Sequence, residues 1–230
     1  MKINNLYNYK SLDRVTDENG SRYYVDPLGN KLTSVTTILS ATADKSGLES
    51  WRNFVGEKKA NQVRDEATGL GTLMHEHLEN HMQGIPRPGG TNLVRQMARR
   101  MADEVISHGL KHVDEIWGIE SPLYFPAMFA GTADLIGVHD GKPCIMDFKT
   151  TNKMKTADMI GDYFCQLAAY AMAHNQLYDT EINTGVIFMV SRDCKFQQFV
   201  ITASDFAKAQ YNWLERVDRF YSMEQKDQTS

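Results

Sequence analysis

A single mixed α/β domain, with a central mixed β-sheet flanked by helices, is the fold class this sequence predicts, and three observations predict it. Helical spacing dominates between about residues 33 and 110, extended apolar segments take over between about 117 and 201, and an amphipathic helix follows at about 203–222. A chain of 230 residues is long enough for one substantial core, and two full domains would be tight. The expected organisation is therefore one domain over 1–222 and a polar tail, EQKDQTS, within 223–230.

Each element has its own signal. SRYYVDPLGNKLTSVTTIL reads as two short extended stretches around a turn at Pro27, Gly29 and Asn30, leading into the first helical region. Leu48, Trp51, Val55 and Val63 mark one helix, and a second spans about Thr68 to Met82. Val94, Met97, Met101 and Val105 mark a third, after the linker QGIPRPGG. From Trp117 the pattern turns extended: IWGIESPLYF, then ADLIGV and CIMDF joined by the turn HDGK, and later TGVIFMV paired with KFQQFVI across SRDC. Between these lies a helix over about Ala157 to Leu177, with Tyr163, Leu167, Tyr170 and His174 at helical intervals, which would cross over between strands as in a βαβ unit. Phe206, Ala209, Trp213, Val217 and Phe220 form one stripe of the last helix, with Thr202 and Asp205 in a capping-box arrangement at its start.

Composition narrows the function classes. A formal net charge of -4 does not announce a nucleic-acid binder, so any phosphate binding must come from a local patch. Cys144, Cys165 and Cys194 are scattered without a CxxC, which argues against a disulfide framework, a structural zinc site or an iron–sulfur cluster. No charged-then-apolar leader opens the chain and no uncharged apolar run is long enough to cross a membrane, so a cytoplasmic protein with reduced thiols is expected.

The chemistry concentrates in the hairpin. Asp147 and Lys149 are two apart on a strand, so their side chains leave one face while Phe148 points the other way into the core. The turn brings Asp134 to the same end. Two carboxylates and an ammonium suit metal-assisted hydrolysis, because a hard divalent cation takes oxygen ligands and the Phe148 carbonyl could add another. His75 and Glu79, in GLGTLMHEHLE, are four apart and share a helix face, where His75 could serve as a further ligand. Taken alone, that histidine is as readily a core-edge residue, and His77 with His81 is an equal candidate pair.

The order of GTLMHEHLE, Glu120, GTADLIG, IMDFKT and QLAAY along the chain resembles the PD-(D/E)XK nucleases of the RecB type, in particular their small stand-alone exonucleases, over about residues 20–200. The resemblance implies a restriction-endonuclease-like core and hydrolysis of DNA phosphodiesters with one or two Mg²⁺ or Mn²⁺ ions. It implies His75, Asp134 and Asp147 as metal ligands with the Phe148 carbonyl, and Asp134, Asp147 and Lys149 as the catalytic set. Gln166 and Tyr170 match the family's Gln-x-x-x-Tyr helix, which lies beside the site. Glu120 resembles an acidic residue kept near the metal in some members, and Thr150 is placed to bond a phosphate or to cap its strand. Ala133 stands where the proline of the name would be, as in many RecB-type members.

DNA is the implied substrate, degraded from an end in replication, recombination or repair. A single-strand-binding or annealing protein is a conceivable partner, and both monomers and trimers occur in the broader family. For the DNA surface, Arg95 and Arg99 fall four apart on the third helix, and Lys153 and Lys155 follow the catalytic lysine. Each offers a phosphate contact, and each alone is also an ordinary solvated charge. A restriction-type endonuclease and a catalytically silent DNA-binding module remain alternatives.

Overall fold

Residues 1–16, 18 and 22–227 are described in this computed structural model. Four short strands come first: β1 (Lys2–Ile3), β2 (Asp13–Thr16), β3 (Arg22–Val25) and β4 (Lys31–Thr33). Four helices follow, α1 (Val35–Thr42), α2 (Ser46–Val55), α3 (Glu57–Gln83) and α4 (Leu93–His108). The remainder runs β5 (Val113–Phe125), β6 (Phe129–His139), β7 (Lys142–Thr151), α5 (Gly161–Tyr178), β8 (Thr184–Ser191), β9 (Phe196–Thr202) and α6 (Ala203–Asp227).

The central sheet has six strands in the order β1-β5-β6-β7-β8-β9. It is mixed: β5/β6, β6/β7 and β8/β9 pair antiparallel, whereas β1/β5 and β7/β8 pair parallel, the latter through the α5 crossover. One face is covered by α1, α5 and α6, whose Ile38, Leu167 and Trp213 are fully buried; the other is covered by α3 and α4 through Met74, Leu78, Met101 and Val105. β2, β3 and β4 form a separate three-stranded sheet, joined to the main one by a bridge between Ser34 and Ala130.

Several boundaries differ from the sequence reading. The helix marked by Leu48 to Val63 breaks at Gly56, whose φ of 82° and ψ of 151° fit glycine and essentially no other residue. The stretch from Glu57 then joins the expected Thr68–Met82 helix into one 27-residue α3, running straight through Gly69 and Gly71. Each internal glycine costs about 1 kcal/mol. Burial of Leu70, Met74 and Leu78 against the sheet returns about 1.5–3 kcal/mol apiece, so packing wins. The strand expected from Trp117 starts at Val113, and a 3₁₀ turn at Ala157–Ile160 precedes α5 where a continuous helix was expected. β1 and β2 carry too few alternating apolar residues to be seen in advance. The last helix runs on to Asp227, into the stretch that reads as tail, and residues 228–230 lie outside the described ones.

Candidate active site

The β6–β7 hairpin turns through Asp140 and Gly141, both at positive φ (46° and 74°), the backbone a tight two-residue hairpin needs. Pairing runs from His139↔Lys142 to Leu135↔Met146 and then stops, although both strands continue. Beyond that point they diverge, and the side chain of Asp134 takes over from the ladder: its Oδ2 accepts from the Phe148 amide at 2.9 Å. The opening lets Lys149, on the polar face of β7, line a cleft. Asp147 Oδ2 and Lys149 Nζ are 2.6 Å apart on that face, while Phe148 is buried on the other and stacks on Phe188.

Asp147 is 1 % exposed; its Oδ2 is ion-paired with Lys149, and its Oδ1 has no hydrogen-bond partner among the described residues. Lys149 also donates to Gln166 Oε1 at 3.2 Å, and Gln166 Nε2 donates to the Tyr170 hydroxyl at 3.4 Å. Burial raises the Asp147 carboxyl to about 6, against the pull of Lys149. For Lys149 burial works downward, yet the charges of Asp147 and Asp134 outweigh it and hold the amine above the ordinary lysine range. Lys149 is thus an ammonium at neutral pH.

From α3, His75 reaches over the splayed strands. Its Nε2 lies 2.9 Å from the Phe148 carbonyl, and since a carbonyl only accepts, Nε2 carries a proton there. Nδ1 is left facing Asp134 Oδ2 at 3.7 Å and Glu120 Oε1 at 4.0 Å. Burial alone would depress this imidazole, but Asp134, Glu120 and Asp147 together raise it to about 9. Glu120 reaches the site through a left-handed residue, φ 45°, between the pairs Ile119↔Leu135 and Ser121↔Ala133. A non-glycine residue at positive φ stores strain, which such sites often do. One ligand atom each from His75, Glu120 and Asp134 lies within 4.8 Å of the others. Glu79, one turn beyond His75, lines the same cleft, and burial with the charge of Glu120 raises its carboxyl. His77 faces the other way, 1 % exposed, and His81 is exposed.

Two clefts meet here. The first, ≈ 810 Å³, is floored by Thr132, Asp134 and Lys149 and walled by α3 on one side and by Arg14, Tyr24 and Ser34 on the other. The second, ≈ 690 Å³, is lined by Trp51, Thr150, Lys153, Lys155, Tyr163 and Arg192. They adjoin at Gly71, where an added Cβ would lie 3.7 Å from Thr150 Oγ1. Arg95 and Arg99 line neither: α4 packs beside α3 and over β8, both arginines are exposed, and Arg95 donates to the Gly89 carbonyl at 3.0 Å. Gly131, of the GTAD run, sits under the Tyr170 ring, where a Cβ would come within 2.7 Å. Arg14, Tyr24, Thr132 and Arg192 escaped the sequence reading. Of these only Thr132, two before Asp134 on its strand, carried a local signal.

With a mixed sheet, an Asp-x-Lys strand and an acidic hairpin partner in one crevice, the chain belongs to the PD-(D/E)XK nuclease superfamily, whose family model matches residues 53–225. Mitochondrial genome maintenance exonuclease 1 of Homo sapiens is 26% identical over 175 residues, covering 71% of this chain and 50% of that protein. The Mus musculus protein of the same name is 25% identical over 191 residues, covering 77% and 55%. The chain thus spans about half the length of these relatives. A crystal structure of a provisionally designated exonuclease from Eubacterium rectale overlays at a TM-score of 0.46 with 13% identity, covering 67% of this chain and 64% of that one. No helix among the described residues is long and apolar enough to cross a membrane.

Proposed function

We propose that this chain is a divalent-cation-dependent deoxyribonuclease that hydrolyses phosphodiester bonds from an end of linear or single-stranded DNA, in replication, recombination or repair. One observation carries the reading: ligand atoms of His75, Glu120 and Asp134 converge within 4.8 Å of one another, and the buried Asp147, ion-paired with Lys149 through Oδ2, keeps Oδ1 without a hydrogen bond among the described residues. A buried charge is costly unless paired or coordinating. The donor set of carboxylates and one imidazole fits a hard ion and admits Mn²⁺ as well as Mg²⁺. His75 through Nδ1, Asp134, Asp147 and Glu120 would hold one or two such ions. The Phe148 carbonyl fixes the imidazole or adds an oxygen. A bound divalent ion supplies Lewis-acid polarisation of the phosphate and makes water acidic enough to attack near neutral pH.

The chain's own groups do the rest. Lys149, held protonated, orients the attacking water and offsets charge growing on the phosphate. Gln166 and Tyr170 hold that ammonium in place, and Lys153 and Lys155 offer phosphate contacts in the adjoining cleft. The end-directed preference rests on the exonuclease names of the relatives. The test is digestion of end-labelled linear single-stranded and duplex DNA beside closed circular DNA, in Mg²⁺, Mn²⁺ and EDTA, with Lys149→Ala as control. Metal-dependent shortening of linear substrates alone, absent in the variant, supports the proposal; cleavage of circles refutes the end-directed part, and no cleavage anywhere refutes the enzyme.

A further inference from the structure

We propose that the small three-stranded sheet is a phosphate-binding wall of the first cleft and that Arg14 is its contact residue, gripping an internal phosphodiester beside the one that is cut. The inference rests on the nuclease reading above. Register delivers the side chain: Arg14 pairs directly with Tyr24, so the two share a face of the small sheet, and both line the cleft. Tyr24 in turn anchors that wall to the floor, its hydroxyl 3.3 Å from Thr132 Oγ1, and Thr132 shares a face of β6 with Asp134. The backbone of Arg14 is therefore set relative to the proposed metal ligands, and its side chain lines the cleft from there.

Its charge is uncommitted. Arg14 and Lys149 are the only lysines or arginines lining this cleft among the described residues, against the carboxylates of Glu76, Glu79, Glu120 and Asp134. Lys149 is engaged with Asp147 and Gln166. Arg14 is exposed and makes no ion pair or hydrogen bond among the described residues, although acidic groups share its cleft. A guanidinium left unpaired in an acidic cleft is available to a bidentate oxyanion, and its planar fork matches a phosphate. The second cleft, with Lys153, Lys155 and Arg192, continues beyond Lys149 on the other side. A strand lying through both would put one phosphate at each flank of the scissile bond.

The test titrates a labelled oligothymidylate with hydroxyl ends against the full chain in EDTA, over a series of NaCl concentrations. Arg14→Gln should weaken binding several-fold and lower the slope of log K against log salt by about 0.7, the loss of one phosphate contact on a single strand. Arg14→Lys should recover most of the slope. Lys31→Gln, on the same sheet with its ammonium 3.6 Å over the Tyr23 ring, should change neither. Equal affinity and slope in wild type and Arg14→Gln overturn the inference alone. An Arg14 effect seen only when the oligonucleotide carries a terminal phosphate also overturns it, in favour of an end-reading site. Wild-type protein that neither binds DNA nor cleaves it overturns the nuclease reading, and this inference with it. Because Arg14 is exposed and has no partner among the described residues, thermal unfolding should match across the variants, which separates binding from folding.

Discussion

Removing the divalent ion should destabilise the protein more at pH 8 than at pH 5, and the size of that difference follows from two groups. Asp147 is raised from 3.8 to about 6, so its protonated form contributes stability that is complete below pH 3.8 and gone once pH passes about 6. His75 is raised from 6.5 to about 9, so its charged form contributes stability complete below pH 6.5 and lost as pH climbs through about 9. At ~1.36 kcal/mol per unit, the interval from pH 5 to 8 removes on the order of 1 kcal/mol through Asp147 and on the order of 2 kcal/mol through His75. A cation that takes the place of those protons recovers this loss, so metal-induced stabilisation should be about 3 kcal/mol larger at pH 8. For a domain of this size that is roughly 6–12 °C in Tm. Buried His77, His139 and His174 are held below the ordinary imidazole range by desolvation and titrate in the opposite sense, so the quantity to measure is Tm in Mn²⁺ minus Tm in EDTA at each pH, in which they cancel. A metal shift equal at the two pH values, or a full shift in Asp147→Asn, would refute the reasoning.

Lys149→Ala should bind DNA almost as wild type does while losing at least ~10²-fold in turnover, since it removes charge stabilisation of about 2.7 kcal/mol or more; electrophoretic binding and single-turnover cleavage separate the two. Gln166→Ala should lower kcat by about 10–100-fold, the equivalent of an unmade hydrogen bond to a charged group, with little change in Kd for DNA. His75→Ala should raise the Mn²⁺ concentration for half-maximal activity, read by metal titration, and an unchanged titration would return this histidine to a packing role. Gly131→Ala should cost about 1–3 kcal/mol in thermal unfolding, because the new methyl meets the buried Tyr170 ring.

What the sequence could disclose of this site divides by the range of the forces that build it. The strand alternation that puts Asp147 and Lys149 on one face, the two-residue turn that returns the chain to Asp134, and the helical interval joining His75 to Glu79 are all local, so each is legible in a short window. Gly56 is legible in kind but not in effect: glycines at 69 and 71 look equally disruptive, and only the packing of Leu70 and Met74 against the sheet decides which one ends a helix. Glu120 depends on a left-handed kink that no neighbouring residue announces. The opposite wall is further still from local control, because Tyr24 meets Thr132 across 108 positions and carries Arg14 with it. Arg95 and Arg99 make the converse point. Their spacing gives them a shared helical face, but the packing of α4 beside α3 leaves both outside the two clefts, so a charge count along a helix says nothing of position until the helix has a neighbour.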